Sequence, residues 1–390
     1  MTSFQKYIIA LIKSALFNQN GAVEEIGGWD EIWDLAYKHQ IASIIYYGVV
    51  NSKADIPEEY YKKLQDYTFK NLFVDRKQTY TIKCLEKEFR HYKIDYMLLK
   101  GSVLKQIYPK TDMRTMSDID ILIHSNQYDT ISEIMKRLGF SFKAQSSHDY
   151  EWTSKMIHIE LHKSMIPPQD ADYYEYFGNG WYKALKCPDS PYAYRLSNED
   201  QLIYVFTHFA KHYRNGGIGI RHMIDLWIIL DKYPQINLNY VSKALKSIGL
   251  LDFFKNVMYV LQVWFENKPS TDKSDYITEY IFESGAYGIS KNRMISTCAK
   301  KYDGGSTFKM RIKYIISQLF PKIDSMKLAY PVLKNAPILL PLVWIYRFFK
   351  VLIFKRGRMS NSIKKISNMN ADDAKERQKA LKYVGLKYFN

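Results

Sequence analysis

The spacing of hydrophobic and polar positions changes twice along the chain. In residues 1–90, FQKYIIALIKSAL, WDEIWDLAYKHQIASIIYYGVV and PEEYYKKLQDYTFKNLFVDRKQTYTIKCLEKEFRHY place apolar residues three and four apart, which predicts helices. Asp30 and Pro57 stand where two of those helices would start. Near residue 91 the period shortens. IDYMLLK is a short apolar run ended by Gly101, the form of a buried strand, and SVLKQIY after it fits a short helix. PKTDMRTMS reads as a polar loop and DIDILI as a second strand. NQYDTISEIMKRLGF is a helix whose Ile131, Ile134, Met135 and Leu138 share a face. FSFKAQ, YEWTSK and MIHIELH follow as strands joined by turns, mostly antiparallel. Helical spacing returns from 195 to 320, where Asn198 and Gln201 form a helix-start box. The expected class is α+β. A small mixed sheet over 91–194 is flanked by an N-terminal helical region, 1–90, and a helical domain, 195–320, before a C-terminal segment, 321–390.

Composition narrows the class. A hydrophobic content of 47% with 25% charged residues excludes a disordered chain. Cys84, Cys187 and Cys298 are odd in number and far apart, which excludes a disulfide framework and a paired-cysteine zinc site. The N-terminal apolar stretch is broken by Lys13 and lacks a small-residue cleavage site, so it reads as an amphipathic helix in a cytoplasmic protein.

The net charge of +16 changes the picture mainly at one end. From residue 322 onward, 15 Lys plus Arg stand against 4 Asp plus Glu, a surplus of 11. Within that segment, the apolar run from Ala336 to Tyr346 falls short of the roughly 20 residues a membrane span needs. Pro341, Arg347 and Lys350 also count against a span. Two readings stay open. The favoured one packs Trp344, Phe348, Phe349 and Leu352 onto the helical domain. The other lays the segment weakly on an anionic membrane surface, making the protein peripheral to the membrane.

The candidate chemistry lies in the short-period block. Asp118 and Asp120, two apart in a strand, project from one face. Like charges side by side in a half-buried strand repel and are costly to desolvate, and a metal cation is the usual compensation. In MIHIELH, alternation puts His158, Glu160 and His162 on one face. If the two strands are neighbours, Asp118, Asp120 and Glu160 converge on oxygen-ligated divalent cations, Mg2+ or Mn2+, that can clamp a displacement at phosphorus. Gly101 and Ser102 then read as a phosphate turn, with the amides of Ser102 and Val103 aimed at an anion. Arg114 is expected on phosphate oxygens. Lys100 is open between that role and neutralising the acidic cluster, and Ser117 between capping the turn and donating to a phosphate.

Strand, Gly-Ser, short helix, loop, Asp-x-Asp strand and later carboxylate strand together resemble the polymerase-β-like nucleotidyltransferase superfamily. LLKGSVLKQIYPKTDMRTMSDIDILI, with its Leu-Lys-Gly start, Tyr-Pro, Arg and Asp-Ile-Asp, is similar in particular to the uncharacterised bacterial nucleotidyltransferase family. IELH and HFAKH…RHMIDLWIIL are similar to it too, and the resemblance covers about residues 30–320. It implies metal ligation by Asp118 and Asp120, phosphate contacts at Gly101 and Ser102, and Glu160 as a third metal ligand or as base for an acceptor hydroxyl. An NTP would be the substrate. The acceptor is a small molecule, a sugar, a protein side chain or an RNA end, which the sequence does not distinguish.

His208 and His212 have the i,i+4 spacing of a zinc-protease pair, but Phe209 occupies the place of the catalytic glutamate. With Arg221, His222 and Asp225 nearby, hydrogen bonding or substrate contact is expected rather than zinc. A function of another class competes with transfer: a non-catalytic nucleotide-binding or scaffold protein docked to membrane or nucleic acid by its basic tail. Intact Asp118, Asp120 and Glu160 favour the enzyme.

Overall fold

A computed structural model describes the chain except residues 19–26, 168–170, 287, 289, 303–305, 322, 324–325, 328–329, 331, 355–369 and 388–390. Two compact units are present, one of residues 1–213 and 217–288, the other of 214–216 and 289–390.

The first unit opens with helices α1 (Ser3–Phe17), α2 (Trp29–Lys38), α3 (Ala42–Ser52) and the long α4 (Glu58–His91), and Pro57 is the residue that caps α4. Strand β1 (Tyr96–Leu98) leads into the one-turn helix α5 (Gly101–Leu104), and β2 (Ile119–Ile123) into α6 (Tyr128–Arg137). Strands β3 (Ser141–Gln145), β4 (Asp149–Thr153) and β5 (His158–His162) form an antiparallel run. Helix α7 (Ala171–Phe177) and the short β6 (Leu185–Lys186) and β7 (Ala193–Arg195) precede α8 (Asn198–Asn215) and α9 (Ile220–Lys232). The unit closes with α10 (Leu238–Ser247), α11 (Leu251–Phe265) and α12 (Asp272–Ser284). The seven strands of the described residues make one mixed sheet in the order β3-β4-β5-β2-β1-β7-β6, in which β2 runs parallel to β5 and antiparallel to β1. The expected α+β class holds.

One face of the sheet is core. Ile119, Ile121 and Ile123 of β2 and Ile159 and Leu161 of β5 pack with Leu85 and Phe89 of α4 and with Ile131, Ile134 and Met135 of α6. Alternation then forces Asp120, Glu160 and His162 onto the opposite face. At α8 the cap differs from the expected box. The hydroxyl of Ser197, one residue earlier, accepts from Asp200 N at 3.0 Å. Strands β6 and β7, of two and three residues, are too short to show a period.

His39, at the end of α2, ties distant elements of this unit together. Its Nε2 donates to Phe282 O at 2.8 Å and its Nδ1 accepts from Ile220 N at 3.1 Å. Burial, opposed only in part by the bond to Phe282, lowers its pKa to about 4. The folded protein therefore refuses a proton that the unfolded chain takes up near pH 6.5. Stability from this residue is fully present above pH 6.5 and falls by about 3 kcal/mol as the pH drops toward 4. Denaturant titrations at pH 7 and pH 4.5 should show a steeper acid loss in the wild type than in His39→Asn.

In the second unit, one core cluster joins Cys298, Ala299, Met310 and Ala374, and another joins Met326, Leu333 and Val343. In helix Leu340–Phe354, Val343 is buried and Trp344 is half-buried, donating to Pro321 O at 3.2 Å. The expected packing fails at Phe348 and Phe349, which are exposed with Leu342, Ile345 and Tyr346, because the covered side of the helix is one narrow stripe. The Leu352 side chain and the basic stretch 355–369 lie outside the described residues. No described helix is long and apolar enough to cross a membrane.

Candidate active site

The parallel pairing of β2 with β5 sets Asp120 directly opposite Glu160. Asp118, two residues earlier on β2's side of the turn, shares that face. β4 adds to the row: Glu151 pairs with Glu160, and Asp149 with His162. Asp120 and Glu160 are thus brought together, with ligand atoms within 4.8 Å of each other and of His162; Asp118 lies outside that group, beside Asp120 on the cavity wall. Glu151 lies in YEWTSK and Asp149 just before it, and only the register shows that they join this row.

Charge compensation is local and uneven. Lys100 Nζ lies 2.6 Å from Asp120 Oδ1, and His162 Nε2 lies 2.7 Å from the same oxygen and 3.4 Å from Glu160 Oε2. Burial alone would raise the Asp120 carboxyl, yet the Lys100 charge and the His162 hydrogen bond hold it well below the usual carboxylate range. Burial likewise works against the Lys100 ammonium, and the charge of Asp120 outweighs it and raises the group. The hydrogen bond from His162 keeps Glu160 low. Asp118 is the exception. Burial, then the charges of Asp120 and Glu160, push it up, and its hydrogen bond from Ser117 Oγ at 2.9 Å does not offset them. Negative charge at this end of the face is undercompensated.

The turn before α5 departs from the expectation. The positive φ of 45° falls on Lys100, not Gly101. A lysine held there is strained, and it aims its ammonium at Asp120. Gly101 sits instead in close packing, where a Cβ would stand 3.1 Å from Met116 Sδ and that side chain would have to shift. The amides of Ser102 and Val103 donate to Leu99 O and Lys100 O at 3.2 Å, so they are committed to the turn rather than aimed outward. The Ser102 side chain is buried, with its hydroxyl 3.9 Å from Met116 Sδ. In a one-turn helix the i→i+3 bonds consume these donors.

A cavity of about 220 Å³ opens on the acidic face. Lys100, Gly101, Ser117, Asp118 and Asp120 line one side, while Glu160 stands beside Asp120 but does not line it. The other side comes from Arg114 and from α8 and α9, which supply His208, His212, Arg221, His222 and Asp225. Arg114 Nε donates to Asp225 Oδ1 at 2.6 Å, and Tyr108 Oη donates to the same oxygen at 2.7 Å. Arg221 donates to Gln40 and to Thr115 O. His208 and His212 face each other with Nε2 atoms 3.1 Å apart. Burial holds His208 and His222 well below the ordinary imidazole value, so both are neutral. These two histidines, Arg221 and Asp225, which stood apart from the aspartates in the sequence, belong to the same cavity.

Among known proteins, residues 27–266 match the profile of a family described as "Uncharacterised nucleotidyltransferase". No curated protein matches the chain. A solution structure of the antibiotic-resistance factor ANT(2'')-Ia is similar over 50% of this chain and 100% of that one, at 9% identity and a TM-score of 0.35. The family match takes in β1, α5, β2, β5 and both cavity helices, more than half of the 390 residues, and the chain belongs to the uncharacterised nucleotidyltransferases.

Proposed function

We propose that this nucleotidyltransferase moves a nucleoside monophosphate from an NTP to an acceptor hydroxyl and releases pyrophosphate, with Mg2+ or Mn2+ held by Asp118, Asp120 and Glu160. The observation that carries this reading is the register of Asp120 against Glu160, on a face whose cavity has arginines on its far wall. The donor set fits a hard cation, since all three groups offer carboxylate oxygens. The charge left undercompensated around Asp118 asks for one. When bound, the cation would neutralise the carboxylates and polarise phosphoryl oxygens.

The chain's own groups do the rest. The cavity is smaller than the roughly 300–1,000 Å³ of sites that enclose a whole ligand, so it suits the triphosphate end of a nucleotide. Arg114 and Arg221 stand where phosphate oxygens would lie, and their ties to Asp225 and Thr115 fix their positions in advance. Lys100 neutralises Asp120 and borders the same space, as do Gly101 and Ser117. The acceptor oxygen attacks the α-phosphorus as the bond to the β-phosphate oxygen breaks. Glu160, kept ionised by His162, is placed to take the hydroxyl proton, while pyrophosphate leaves with the bonding electrons.

Each of the four NTPs, labelled at the α-phosphate, should bind only with Mg2+ or Mn2+. Pyrophosphate release should follow when the matching acceptor is supplied from pools of small molecules, sugars, proteins or RNA. Absence of metal-dependent NTP binding would overturn the reading.

The exposed Leu342, Ile345, Tyr346, Phe348 and Phe349 also support a weak attachment of helix Leu340–Phe354 to an anionic membrane surface. Sedimentation with vesicles containing phosphatidylserine should fall when Ile345 and Phe349 are both replaced by Glu, at unchanged melting temperature. Wild-type protein that stays in the supernatant would sink this attachment.

A further inference from the structure

Beside the proposed magnesium ligands, two buried acceptor atoms have nothing to accept from. His162 is 2% exposed, and its Nε2 lies 2.7 Å from a carboxylate oxygen of Asp120. Asp120 is ionised and can only accept, so Nε2 carries the proton. In the neutral ring the Nδ1 then presents a lone pair, and this buried atom has no hydrogen-bond partner. Asp149, 6% exposed, sits opposite His162 across the β4–β5 ladder, and its Oδ1 is likewise buried without a partner. With the ring neutral neither atom satisfies the other; a second proton on the ring or a bound cation satisfies both.

The third member is His148, in the turn that opens β4. Its Nε2 lies 3.0 Å from Asp149 Oδ2, and Ser146 Oγ lies 3.1 Å from its other ring nitrogen. Ligand atoms of His148, Asp149 and His162 all lie within 4.8 Å of one another. Metal–ligand bonds of about 2.0–2.2 Å in a tetrahedron put donors roughly 3.4 Å apart, so the triad needs a contraction of at most about 1.4 Å. The short turn carrying the half-buried His148 can supply it.

We infer that His148, Asp149 and His162 form a second cation site, selective for Zn2+ or a similar transition metal and separate from the Mg2+ or Mn2+ ligands. Two imidazoles and one carboxylate suit zinc, whereas magnesium prefers oxygen ligands. Each histidine has an outer partner for its second nitrogen, Ser146 for His148 and Asp120 for His162, as zinc-bound histidines do. The site shares His162 with the acidic row, so the bound cation orients the ring that holds Asp120 and Glu160. His162 is a positioning residue in this arrangement.

Equilibrium dialysis against Zn2+ alone, in excess Mg2+, tests the site without any turnover. Wild-type protein should retain one Zn2+ per chain. His148→Ala, on a half-buried turn, and the isosteric Asp149→Asn should each weaken retention at least tenfold with the fold intact by circular dichroism. Asp118→Asn, which breaks the magnesium set alone, should retain zinc as wild type does, so failure of the transfer reading leaves this result untouched. Zinc retention by His148→Ala equal to that of wild type, or no retention by wild type, would overturn the site.

Discussion

Asp120→Asn is expected to lower nucleotidyl transfer by at least roughly 10²–10³-fold, the scale on which one preorganised electrostatic group acts, while the protein stays folded. Asp120 is the centre of the row. It faces Glu160 across the ladder, carries the Lys100 ion pair and accepts from His162. Asparagine keeps its shape and one acceptor for His162, and it removes repulsion with Glu160 and Asp118. Lys100 loses its nearest carboxylate but keeps Glu160 within electrostatic reach. The melting temperature should fall, because Lys100 loses its closest counter-charge, but the protein should stay folded at assay temperature, and the larger loss should appear in metal-dependent turnover. Full activity in this variant would remove Asp120 from the chemistry.

Much of this site could be read before any coordinates, because strand alternation is a local property. IDILI and HIELH state which side chains share a face, and both statements hold in the sheet. What alternation cannot state is which strands are neighbours and in what register. Asp120 opposite Glu160, and Asp149 opposite His162, are consequences of pairings between distant segments. The cationic wall was hidden for the same reason. Arg221 and Asp225 are about a hundred residues from the aspartates, and only the packing of α9 puts them on the same cavity. The anion-facing amides were misread on a different ground. A glycine followed by serine suggests an open turn, yet the turn here is closed by its own i→i+3 bonds and places its strain on Lys100. In the tail Trp344 packs as expected while Phe348 and Phe349 are exposed, because hydropathy reports how apolar a helix is, not whether anything covers it.

Asp225→Ala is expected to destabilise the first unit by about 3–5 kcal/mol, the cost of stripping one partner from a buried ion pair. Asp225 is 1% exposed, and its Oδ1 accepts from both Arg114 Nε and Tyr108 Oη. Arg114 is also buried, and it donates to Thr115 O, a neutral carbonyl. Alanine would leave a desolvated guanidinium near the equally buried Arg221, so repulsion adds to desolvation. Asp225→Asn should fall between, since it keeps an acceptor for Tyr108 without the charge. Replacing the pair together, Arg114→Met with Asp225→Leu, removes both charges and should recover much of the lost stability. Activity should not recover with it, because the cavity has then lost a guanidinium placed for phosphate oxygens. Denaturant midpoints and turnover measured on the same three variants separate the two roles. An unchanged midpoint in Asp225→Ala would show that the pair does not hold the unit together. A stable double variant with wild-type turnover would take Arg114 out of the transfer reaction and leave it as a structural residue alone.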